Sequence, residues 1–143
     1  MKKLNWQDAV DFCKNLEFAG HDHWRLPSIT ELESLVDKSR LNPALPESHP
    51  FLNVRGSYYW SSTTYANYTY NAWNVSMSDG YMYYFLKYYN LYVWPVRGGQ
   101  FDTFGDLIIL GLQEGQERFT DNLDGTVTDN LTGLVWIKDL NLF

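Results

Sequence analysis

Between Tyr58 and Tyr92 the chain carries all eleven of its tyrosines, and only two charged side chains, Asp79 and Lys87, interrupt them. Tyr, Trp, Phe and Thr at this density favour strands. Residues in a strand alternate between the two faces of a sheet. The six tyrosines of "YMYYFLKYYNLY", residues 81–92, therefore cannot all point into one core, and several must meet solvent. Clusters of exposed aromatic rings mark interaction surfaces. Tyr mixed with Ser, Asn and Gly is also the composition of antibody binding loops, where a stiff amphipathic ring gives contact area at low entropic cost.

The window divides into recognisable strands. "YYWSSTT" forms one, while "AWNVSM" and "YMYYFL" flank Asp79-Gly80, a two-residue hairpin signal because Gly accepts the positive φ such turns need. A two-residue loop pairs Ser78 with Tyr81, Met77 with Met82 and Ser76 with Tyr83. Val75, Met77 and Met82 then share an inward face, and Ser76, Ser78, Tyr81 and Tyr83 an outward one. Trp60, Trp73 and Trp94 are expected in the core. "LYVWPVR" is a further strand whose Pro95 points to an edge or a bulge. "RFTDNLDGTVTDNLTGLVWIK" reads as a β-meander with turns near Asp124-Gly125 and Thr132-Gly133.

Two helices come first. In "NWQDAVDFCKNL" the residues Trp6, Ala9, Val10, Cys13 and Leu16 fall on one helical face, behind Asn5 as N-cap. In "PSITELESLVDKSR" Ser28 and Glu31 have the spacing of a capping box, with Leu32, Leu35 and Val36 as the buried stripe. Helices followed by antiparallel strands give an α+β class. At 143 residues one domain, 1–143, is expected.

Composition excludes several functions. A net charge of −6 with scattered basic residues argues against a nucleic-acid partner. The start "MKKLNWQDAV" has Asn5, Gln7 and Asp8 where a signal peptide needs an apolar run, and no membrane insertion is expected. The single cysteine, Cys13, lies on an apolar helix face with no base or positive charge marked out beside it. His21, His23 and His49 fall short of a zinc ligand set, and "DNLDGTVTD" lacks the alternating carboxylates of a calcium loop. Neither a metal, a cofactor nor a catalytic group is expected, and the chain is not read as an enzyme.

The separated segments "NWQDAVDFCKNLEFAG", "WRLPSITELESLVD", "YYWSSTTYANYTYNAWNV", "PVRGGQ" and "RFTDNLDGTVTDNLTGLVWIKD" together resemble the C-terminal domain family of the Legionella collagen-like protein. That resemblance implies a C-type lectin-like fold with two helices on antiparallel sheets. Some members are variable proteins of diversity-generating retroelements, in which template adenines are randomised and Asn codons become Tyr, Ser, Asp, Phe, Leu, Thr and a few others. Trp60, Trp73, Met77, Met82 and Lys87 cannot arise that way and count as framework. The residues that can arise, and that the resemblance makes candidates for ligand binding, are Tyr65, Tyr68, Tyr70, Asn71, Ser76, Ser78, Tyr81, Tyr83, Tyr84, Phe85, Leu86, Tyr88, Tyr89, Asn90 and Leu91.

The chain departs from the family pattern in two ways. The block at about 117–139 precedes the first helix in the family and here comes last. Either a permuted domain or one cut across a tandem boundary follows as an expectation; in the permuted case this block docks beside the first helix with the chain ends close together. The Glu-Pro-Asn and Trp-Asn-Asp motifs of calcium-dependent lectins are also missing. The expected function is recognition of a protein or other macromolecular receptor, or a glycan, by a variable region at about 58–97, at a cell surface or on a virion. Two other readings remain: an adhesin of fixed specificity that stacks polysaccharide on its rings, or an oligomerisation module.

Overall fold

A computed structural model describes residues 2–143. In chain order the elements are β1 (Lys3–Leu4), α1 (Trp6–Asn15), α2 (Ile29–Ser34), β2 (Tyr58–Thr64), β3 (Asn71–Ser76), β4 (Met82–Leu86), β5 (Leu91–Tyr92), β6 (Val96–Gly98), β7 (Phe119–Asp121), β8 (Thr126–Asp129) and β9 (Leu134–Ile137). They form a mixed α+β domain with a five-stranded sheet ordered β1-β5-β2-β3-β4 and a four-stranded sheet ordered β6-β9-β8-β7. All strand pairs are antiparallel except β2 with β5.

The helix ends follow their cap residues. Asn5 accepts the Asp8 backbone N–H and starts α1. Ser28 and Glu31 close a reciprocal capping box at α2, satisfying backbone groups that a helix end leaves unpaired. The α2 helix stops at Ser34, so Leu35 and Val36 pack from the turn beyond it.

Strand β2 is buried on both faces. Tyr59 enters a core with Trp24, Phe51, Trp94 and Trp136, while Trp60 enters another with Ala9, Cys13, Leu26 and Ala72. The indole N–H groups of Trp60 and Trp94 donate to the carbonyls of Leu4 and Ile137. Each such ring removes about 200 Å² from water, worth roughly 5 kcal/mol at about 25 cal/mol per Å². Trp60 and Trp94 are fully buried as expected, whereas Trp73 is only half-buried.

Pro95 marks a transfer between sheets. The chain leaves the first sheet after Tyr92 and enters the edge of the second at Val96. Proline has no N–H to give a ladder, so a continuous strand through 91–97 is not built. The meander of β7, β8 and β9 then completes the larger core, with Trp136 against Trp94 at 5.5 Å and Phe119 against Phe51 at 5.4 Å. It is joined to the rest of the domain by the β6–β9 ladder and these ring contacts, and it reaches α2 through Arg118. Arg118 pairs with the fully buried Asp129 and also donates to the Ser34 carbonyl at 2.6 Å. The chain beyond it reaches the α1 region, where Phe143 packs edge-on to Phe12 and Phe18. Lys2 lies over the same Phe12 ring, so residues near the two ends share one neighbour.

The hairpin at Asp79-Gly80 differs from the sequence expectation. Ser76 pairs with Tyr81, and Val75 stands opposite Met82, so the loop has four residues and the register moves by two. Met77 is the cause: its N–H donates to Ser57 and its carbonyl accepts from Ala44, which takes it out of the β3–β4 ladder. Gly80, at φ 84°, sits where a Cβ would lie 2.6 Å from Val36 Cγ1. Both its conformation and the crowding require glycine.

A two-residue shift preserves which residues share a face, yet the expected burial is reversed at two positions. Ser76 is 4% exposed where an outward residue was expected, and Met82 is 41% exposed where an inward one was. The reason is lateral. Strand β3 lies inside the sheet and is covered on both faces, whereas β4 is its last strand and is covered poorly on either.

Candidate functional site

The tyrosines gather around β4 in two groups, one on each face. On the first, Tyr65 and Tyr84 stack with centroids 4.0 Å apart and planes within 15°. Trp73 stands edge-on to both rings at 5.0 and 5.5 Å, and Tyr68 leans on Tyr65. On the second, Tyr58 meets Tyr83 and Phe85 edge-on at 5.5 and 4.8 Å, and Tyr89 links Phe85 to Tyr88. Edge-on and offset pairs of this kind contribute beyond their buried area, by about 1 kcal/mol each. Ring packing therefore holds the surface stiff without burying it.

Exposure separates the candidates. Tyr70, Tyr88 and Tyr68 are the most open at 82, 70 and 65%, and Tyr81, Tyr84, Tyr89 and Asn90 are also exposed. Tyr65, Asn71, Ser78, Tyr83, Phe85 and Leu86 are half-buried. Tyr83 was expected to be open, but its hydroxyl donates to Asp79 at 2.9 Å and its ring is flanked by Tyr58 and Phe85. Ser76 and Leu91, 4 and 8% exposed, lie inside and offer no side chain to the surface.

The electrostatics of this region are sparse. The Tyr81 backbone N–H, followed by the Tyr83 hydroxyl, holds Asp79 below the usual carboxylate range. The same carboxylate raises Tyr83, and the neighbouring Tyr65 phenol raises Tyr84. Both phenols therefore stay neutral donors at physiological pH.

Beside the end of β4 an open cleft of about 730 Å³ is lined by Asn5, Trp6, Gln7, Thr69, Tyr70, Leu86, Lys87 and Tyr88. Lys87 Nζ sits 4.1 Å from the Trp6 ring and donates to Thr64 Oγ1. Sequence reasoning missed the helix side of this cleft. Trp6 was assigned to the buried face of α1, but its indole N–H reaches the Ser61 carbonyl and leaves the ring at the cleft wall. The only available signal was its position as the first residue of a helix, where no turn precedes it to cover the ring.

Elsewhere, Cys13 is fully buried and burial pushes its thiol up to about 12, which keeps it protonated at physiological pH. Arg25 holds the buried carboxylate of Glu31 through two hydrogen bonds. Among the described residues no group of three or more His, Cys, Asp or Glu side chains could hold a metal ion. No described helix is long and apolar enough to cross a membrane.

No match to the chain is found among curated proteins or solved structures. The Lcl C-terminal domain family, which is not a known enzyme family, matches residues 1–97. The match takes in β1 and both helices, runs through both aromatic groups and the cleft and ends within β6, leaving the meander outside it. With about two thirds of its length matched, the chain belongs to the Lcl C-terminal domain family.

Proposed function

We propose that the domain is a recognition module whose tyrosine surface binds a protein or other macromolecular receptor, and that this surface is diversified by a retroelement on a C-type lectin-like frame. Family membership supports the coarser part, a surface-exposed binding module. The observation that carries the finer part is the split between residues an altered Asn codon can and cannot supply. Tyr68, Tyr70, Tyr81, Tyr84, Tyr88 and Tyr89 are reachable and exposed, while Trp60 and Met77 are unreachable and fully buried. Met82 is the exception, unreachable yet exposed. The surface therefore comprises the open candidates and leaves out Ser76 and Leu91.

In this reading the meander, displaced from its place in the family, occupies the position of the family's leading block, and the domain is permuted. Sequencing the locus from many isolates tests the diversification. Substitutions should concentrate at the reachable exposed positions, beside a reverse transcriptase and a near-copy of the window rich in Asn codons. Variation spread evenly over Trp60, Trp73, Met77 and Lys87 would remove the retroelement from the reading.

A further inference from the structure

We propose that the segment joining β6 to β7 is a second interaction surface, and that its occupant is a cationic, apolar segment of another protein. Residues 99–117 make this connection, and from Gln100 onward every one of them except Leu107 is exposed. Phe101, Phe104, Ile108, Ile109, Leu110 and Leu112 are all among them, with Phe104 90% open. A folded domain that leaves so many large apolar side chains together in solvent marks an interaction site. The stretch lies beyond the family match and shares no residue with the tyrosine surface.

Several contacts tie the segment down. The Asp102 carboxylate accepts the backbone N–H groups of Phe104 and Asp106, which closes a tight turn beneath the open Phe104 ring. Phe101 and Leu107 bridge across that turn, and the Arg25 guanidinium lies over the Phe101 ring at 5.4 Å. Farther on, the Leu110 N–H donates to the Leu131 carbonyl at 2.7 Å, which fixes the apolar run to the turn between β8 and β9. A surface already held in place gives up little conformational freedom on binding.

Charge selects the occupant. Between Arg97 and Arg118 the chain carries Asp102, Asp106, Glu114 and Glu117 and no basic residue. Among the described residues none of these four carboxylates is in an ion pair. Two precede the run 107–112 and two follow it, so the apolar side chains lie between acids. A second copy would bring the same acids against one another, on a chain whose net charge is already −6. Like charges brought together at an interface oppose such pairing. Anionic lipid headgroups are repelled for the same reason. A protein segment that sets Lys or Arg beside apolar side chains meets both the rings and the acids.

The surface is tested with a fluorescent peptide of alternating leucine and lysine, titrated with the full chain and followed by anisotropy. It should bind, more weakly as salt is raised, whereas a peptide of alternating leucine and glutamate should not. Ile109→Ser with Leu112→Ser, both exposed, should weaken binding by roughly tenfold or more without moving the melting midpoint. Glu114→Gln with Glu117→Gln should weaken it by about threefold and flatten the salt dependence. Tyr68→Ser with Tyr88→Ser should leave the titration unchanged, so the outcome is independent of the receptor-binding reading. A leucine–lysine peptide that fails to bind, that binds the Ile109 and Leu112 variant equally, or that is lost with the tyrosine pair would overturn the proposal. So would wild-type chain that partitions onto phosphatidylcholine vesicles, or that dimerises in sedimentation velocity, if the Ile109 and Leu112 variant does neither.

Discussion

The tryptophans and the tyrosines of this chain are both aromatic, but they occupy opposite environments. Trp24, Trp60, Trp94 and Trp136 are almost completely buried, whereas Tyr68, Tyr70, Tyr81, Tyr84, Tyr88 and Tyr89 stand open. The difference follows position in the sheet more than side-chain chemistry. Tyr59 is as buried as any tryptophan because β2 is central, with its hydroxyl donating to the Arg55 carbonyl. Tyr84, 46% exposed, is open because β4 is last. A ring in the centre of the sheet supports the fold, and a ring on its rim contributes little to it.

The largest effect expected from this contrast is at Trp94. Trp94→Ala empties a fully buried ring site that contacts Phe51, Tyr59 and Trp136. It should cost about 3–5 kcal/mol and lower the melting midpoint by roughly 10 °C or more. A fall of only a degree or two would mean the core can do without its central ring.

Next is Arg118→Ala, which leaves the Asp129 carboxylate buried without its cation. Denaturant unfolding should register a loss of about 3 kcal/mol. A loss below about 1 kcal/mol, as for a surface pair, would mean the meander is not clamped there.

On the rim the expectation reverses. Changing Tyr68 and Tyr88 together to Ser should alter stability by no more than about 1 kcal/mol, the usual scale for surface positions. Differential scanning calorimetry would break the comparison if that pair cost as much as Trp94.

The smallest effect belongs to Asp79. Its carboxyl is held below the usual range in the folded chain, so its contribution is present above the unfolded carboxylate range of about 4. It is lost as pH falls through the lowered value. The stability gap between wild type and Asp79→Asn should therefore close on acidification and not on alkalinisation. An unchanged gap in acid would assign the effect to turn geometry and not to the charge.

Much of the frame was legible because its signals are local. Asn5 and Ser28 name their own helix starts, and Asp124-Gly125 and Thr132-Gly133 name their turns. The hairpin at Asp79-Gly80 was legible as a turn but not in its length. Its length depends on Ser57 and Ala44, residues distant in sequence that capture Met77. The exposed rings were foreseen as a population. Which ones would be open depended on which strand became the edge, and that order is set by long-range pairing. The cleft was hidden for the same reason, since Trp6 meets Lys87 only after the sheet has closed.

The Arg118 contact to Ser34 spans 84 positions and the Asn53 contact to Asp139 spans 86. Closing loops of that length delays the contacts that complete the larger core. Synthesis runs from the N-terminus, so the tyrosine strands leave the ribosome well before Trp136 and Ile137 exist to cover Trp94. For that interval the nascent chain shows bare rings and an unpaired strand edge without a finished core behind them. Exchanging one exposed tyrosine for another reachable residue should hardly change the folded protein, yet it changes how sticky this half-made intermediate is. Yield on synthesis should therefore respond to which residues the surface carries more than melting temperature does.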